Sequence, residues 1–189
     1  MTETSGFWRA LRGDGSPRMR ASAYVSRLTG DPPADDVAWL AGIMLGRDED
    51  HARWELRYAM RALGMLVAER DALDDRTASL VAEALELALE RDPNVAANMV
   101  ATAEAQFEAR LTAYREAFHR RIAKESQASR LARELLSFSA AVPNDRDAAI
   151  RQAAGLLARF MAVAAEALRK AFGEARLPED VKPSEATGS

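Results

Sequence analysis

The sequence predicts an all-α fold: a single-domain bundle of five or six helices with a long, bent or broken helix over 95–141. Three observations carry this reading. Glycine and proline fall at the edges of segments rich in Ala, Leu, Glu and Arg, the strong helix formers. No segment alternates apolar and polar residues with β-branched side chains, as a half-buried strand would. In the longer segments apolar residues recur at helical spacing.

The elements follow in order. Residues 1–16, with three glycines, read as a flexible aromatic and basic segment. Ser16-Pro17 supplies a helix cap and a first-turn proline for a helix running towards Gly30. A second helix follows Asp31-Pro-Pro, with Asp35 and Asp36 at its positive end. Its body, VAWLAGIML, is apolar on every side and too short to span a bilayer, so it is expected at the centre with the third helix. The third and fourth helices, 49–71 and 75–91, are joined by the acidic turn DALDD and form an antiparallel pair. Asp92-Pro93-Asn94 caps the long helix. Its stripe Phe107, Leu111, Tyr114, Phe118, Ile122 is turned by roughly 110° from the stripe Leu131, Leu135, Phe138, Val142 on a straight helix. That offset places a bend or break within 123–130. The last helix starts at Asn144-Asp145 and stops at Gly173, closing a bundle domain over 17–173. Residues 174–189, with two prolines, read as a disordered tail.

With 48% hydrophobic and 29% charged residues, the chain has the composition of a soluble globular protein. A net charge of -3 gives no global field for nucleic acid, which is not an expected partner. Cysteine is absent, which removes disulfides and thiolate chemistry and fits a reducing compartment. The N-terminus has no apolar run before its first glycines, so a cytoplasmic protein without a transmembrane segment is expected.

Two histidines limit the candidate chemistry. On the third helix His51, Glu55 and Glu69 fall inside the apolar arc, where an unpaired charge would cost several kcal/mol. Glu55, farthest from the helix ends, has the strongest need of a partner. Arg53, Arg57 and Arg61 form one polar strip. Folding the fourth helix back about 73–74 brings Arg61 to Glu86 and Arg57 to Glu90, as surface pairs contributing about 0–1 kcal/mol each.

Glu116-Ala-Phe-His119 is a Glu-x-x-His, and resembles one half of the motif by which ferritin-like carboxylate proteins hold two metal ions in a bundle. The resemblance implies a metal set of His51, Glu55, Glu116 and His119. The other histidine, however, stands in the order His-x-x-x-Glu, and Glu116 projects away from the Phe107/Phe118 stripe. The segment Ala68–Asp75 resembles the acidic helix junction of tellurite-resistance TerB-like domains, without the glycine of that junction. Its aspartates also serve as ordinary helix caps.

No serine sits in a Gly-x-Ser-x-Gly elbow, and without strands there is no P-loop or Rossmann site. The expected function is therefore non-enzymatic, with no cofactor: a helical module working through contacts with a protein partner or as a homo-oligomer. Its candidate contact residues are Phe7, Trp8 and Leu11 in the aromatic-basic segment, and Leu135 and Phe138 near the bend. The alternative is a small-ligand or metal-binding bundle with its site around Glu55 and His51.

Overall fold

A computed structural model describes residues 16–72, 75–122 and 125–173. The described residues form seven α-helices: α1 (Pro17–Leu28), α2 (Ala34–Ile43), α3 (Glu49–Asp71), α4 (Asp75–Glu90), α5 (Val100–His119), α6 (Gln127–Phe138) and α7 (Arg146–Phe172). A 3-10 turn, Ala97–Met99, leads into α5. The fold is all-helical, with seven helices in place of the expected five or six.

Four of the described helices start where a side chain satisfies free amides of the first turn. Ser16 accepts from Met19 N at 3.3 Å, and Pro17 fills the first position of α1. Asp48 accepts from Asp50 N and His51 N, both at 3.0 Å. Ser126 accepts from Ser129 N at 3.1 Å, and Asp145 from Ala148 N at 2.9 Å. Gly46 and Arg47 turn the chain between α2 and α3 with positive φ, 84° and 52°.

The segment 95–141 is two helices. α5 ends at His119 and α6 begins at Gln127, so Leu111, Tyr114 and Phe118 on one and Leu131 and Leu135 on the other each face the core, while Ile122 and Val142, beyond the helix ends, are exposed. The break is tied down by α6. Arg130 donates through Nε to Ala117 O and through Nη1 to Glu125 O, both at 2.9 Å, and Gln127 donates to Phe118 O at 2.9 Å. Backbone carbonyls freed by the break thus find side-chain donors.

At the centre lies α3, packed against all six of the other helices. Leu56, Ala59, Ala62, Leu63, Leu66 and Val67 on it are all at or below 1% exposure. The expected central place of α2 is corrected. It buries Val37, Leu40 and Ala41 against α3, while its far side, with Ala38 and Gly42, meets solvent. Small residues there make the segment apolar in composition without exposing a large patch. An antiparallel bridge between Met44 and Ala141, with Val142 N donating to Ile43 O at 2.8 Å, ties the end of α2 to the α6–α7 connection.

By length and composition α7 is the one described helix apolar enough to cross a membrane, with 33% of its most apolar window buried in the protein. Its face of Ile150, Leu157, Phe160 and Leu168 belongs to the bundle core, packed on α1, α3 and α6.

α1 packs tightly on α3 at Gly64. A Cβ there would lie 2.2 Å from Leu28 Cδ1, and Tyr24 OH donates to Gly64 O at 2.7 Å. Gly64→Ala is therefore expected to cost about 1–3 kcal/mol by overpacking, read as a fall in the urea midpoint. In a double-mutant cycle with Leu28→Ala the two losses should be far from additive, because the alanine removes the atoms in the way. Additive losses would show that α1 does not pack on this glycine.

Candidate functional site

Glu55 is 3% exposed and meets α5 across the bundle. Arg110 Nε donates to Glu55 Oε2 at 2.8 Å, and Arg110 Nη2 donates to Oε1 in a two-pronged pair. His51 Nε2 lies 3.2 Å from Oε1, one turn back on α3. The guanidinium also lies over two rings, 5.0 Å from the Tyr58 centroid and 4.7 Å from that of Phe138. Tyr58 OH donates to Gln106 Oε1 at 3.1 Å. Burial works against the charge of Arg110, but the hydrogen bonds and negative charge of Glu55 outweigh it and hold the guanidinium above its usual range. Burial raises the Tyr58 hydroxyl, against the pull of Arg110. Burial raises Tyr114 further, with Glu55 adding to the effect. Both oxygens of Glu55 thus already have donors, and the cluster binds α3, α5 and α6 together.

The remaining residues of the proposed metal set stand apart. Glu116 is 65% exposed and lies 3.6 Å from Arg120, while His119 is exposed with its ring edge-on to Phe118 at 5.2 Å. Among the described residues no three His, Cys, Asp or Glu side chains gather as a metal-ligand group.

The arginine strip is corrected. Arg57 and Arg61 are buried, not superficial, and neither meets the fourth helix's glutamates. Arg57 donates through Nε to Asp31 at 3.1 Å and lies over the Trp54 ring. Arg61, 1% exposed, donates through Nη2 to Asp92 Oδ2 at 2.6 Å, while its Nε and Nη1 have no partner. Only Arg53 keeps a surface role, beside Asp50 at 3.6 Å. Glu69 pairs with Arg115 at 2.8 Å. Burial pushes the Asp92 carboxyl up, but hydrogen bonds from Asn94 and from Arg61 prevail and hold it below the ordinary carboxylate range.

Of the candidate contact residues, Phe7, Trp8 and Leu11 lie outside the described residues. Leu135 is fully buried in the chain's own core, and Phe138 is half-buried against Tyr114 and Arg110. Neither offers an open surface at the break.

A groove of about 430 Å³ lies beside the α6–α7 connection, lined by Leu136 and Val142, and a larger one of about 720 Å³ opens between α4 and α5. Met65, Leu85, Phe107 and Leu111 give it an apolar floor. Glu86 and Glu90 rise from α4, Glu104 and Glu108 from α5. Arg115 also lines it, its guanidinium bonded to Glu69 and feeling the charge of Glu108 as well. No described cation stands within ion-pair distance of the four glutamates. Sequence reasoning assigned Glu86 and Glu90 to the wrong partners and did not register Glu104 and Glu108.

The chain matches no family model, no curated protein sequence and no solved structure.

Two outcomes test the buried pairs. Glu55→Gln leaves the Arg110 charge half inside the bundle and is expected to cost about 3 kcal/mol in urea unfolding; adding Arg110→Met should restore most of it. A loss below about 0.5 kcal/mol would deny the pair its place. Asp92, with its folded pKa lowered, contributes stability that is complete above the ordinary aspartate value of about 3.9 and fades as pH falls through the lower folded value. Wild type should therefore lose stability relative to Asp92→Asn as pH drops below about 4, in paired denaturant titrations.

Proposed function

We propose that this chain is a protein-contact module whose α4–α5 groove receives a basic amphipathic helix. The observation that carries the reading is the groove itself: an apolar floor of Met65, Leu85, Phe107 and Leu111 between two pairs of glutamates. An apolar trough takes the apolar stripe of a helix laid into it. Carboxylates along both edges select Lys and Arg on the flanks of that helix and reject acidic ones.

The probe that tests this is an 18-residue Leu/Lys peptide with leucines at helical spacing, set against a Leu/Glu peptide of the same pattern. Full-length protein is expected to bind the basic peptide in fluorescence anisotropy, with affinity falling as salt rises, and to ignore the acidic one. Glu86→Lys with Glu108→Lys should weaken binding about tenfold, which is about 1.4 kcal/mol. Glu116→Lys, on an exposed site outside the groove, should leave it unchanged. Equal weakening by both would reduce the effect to net charge and remove the groove from it.

A further inference from the structure

Resting on that reading of the groove, we propose that its occupant in the isolated protein is the chain's own segment Phe7–Arg12, so that a partner helix must displace it. The segment reads FWRALR. Projected at ~100° per residue, Phe7, Leu11 and Trp8 share one face, Arg12 borders it beside Trp8, and Arg9 lies on the other side. Aromatic and apolar residues flanked by arginine are the chemistry that the Met65/Leu111 floor and the Glu86/Glu108 rim call for.

The tether favours the same answer. α1 packs along α4, and Arg18, one residue into α1, lies 3.6 Å from Glu83. Glu83 stands one turn before Glu86 on α4. The chain therefore joins the bundle beside the groove's α4 wall. Residues 13–16, Gly-Asp-Gly-Ser, span up to about 14 Å when extended, enough to cross a helix about 10 Å wide. Met19 and Leu87, 55% and 45% exposed, add apolar surface next to Arg18 and one turn after Glu83. The opposite end of the chain is a poorer occupant: residues 174–189 carry Glu174, Glu179, Asp180 and Glu185 against Arg176 and Lys182, and no aromatic residue. A tethered segment competes at an effective concentration in the millimolar range, and lowers a partner's apparent affinity by the fraction of open molecules.

The test uses the full chain and exploits the absence of native cysteine. Ala10→Cys with Ala105→Cys, on the groove's α5 wall, should form an intramolecular disulfide under mild oxidation. Ala10→Cys with Gln152→Cys, on the exposed side of α7, should not. In parallel, Phe7→Ser/Trp8→Ser/Leu11→Ser is expected to bind the Leu/Lys peptide about tenfold more tightly than the parent, as the closed fraction is lost. Equal peptide affinity in both proteins, with no preference between the two cysteine pairs, would overturn occupation by this segment while leaving the groove's preference for basic helices standing. Linkage only between molecules at micromolar protein would also overturn it, by assigning the segment to a second copy. Failure of the peptide to bind either protein would instead remove the reading beneath it.

Discussion

Packed against six other helices, α3 keeps exposed charges only towards its two ends, and it carries three more deep in the bundle. Glu55, Arg57 and Arg61 can be buried only if other elements bring counter-charges to them, because an uncompensated ion inside a protein costs several kcal/mol. Each is met from a different quarter: Glu55 by Arg110 of α5, Arg57 by Asp31 ahead of α2, Arg61 by Asp92 after α4. Hydrophobic burial supplies the drive to collapse but little direction. These three pairs say which element goes where around α3, and a different docking of α5 or of the α4–α5 connection would strand a charge.

The same arrangement explains why a groove opens beside α4 and α5. Both are fastened to α3 more than to each other: α4 through Val81 and Leu85 in the shared core, α5 through Arg110, Leu111 and the Arg115–Glu69 bridge. Two helices held by a third need not close the gap between themselves. Met65 of α3 then shows at the bottom of the gap, and glutamates on the facing walls hold the edges wet and negative. Like charges across a gap resist closure until a cation comes between them.

Much of the fold was legible because it is local. Ser16-Pro17, Asp48 and Asp145 mark helix starts through bonds to amides two or three residues on, and the stripe offset between Phe118 and Leu131 announced the break. Glu55 was legible as a buried charge from its place in the apolar arc, and Arg110 carried the complementary signal, since it falls among Phe107, Leu111 and Tyr114 on α5. What the sequence did not disclose is the pairing across elements. Arg57 and Arg61 lie on a strip that reads as a surface when α3 is projected alone. Only tertiary docking brings Asp31 and Asp92 over it. The groove was hidden for a similar reason, because it is a property of the distance between α4 and α5 and of neither helix by itself.

That distance traces back to a buried charge. Asp92 begins the connection from α4 to α5, and its carboxylate is held on one side by Arg61 and on the other by the backbone and side-chain amides of Asn94. The connection is thereby pinned to the middle of α3 at the point where the chain turns from one wall of the groove to the other. The pair thus constrains where the two walls of the groove join, while the glutamates act along its length. A segment laid into the groove would meet walls already tied together at one end, and could spend more of its binding energy on contacts with the floor and rim than on positioning the helices.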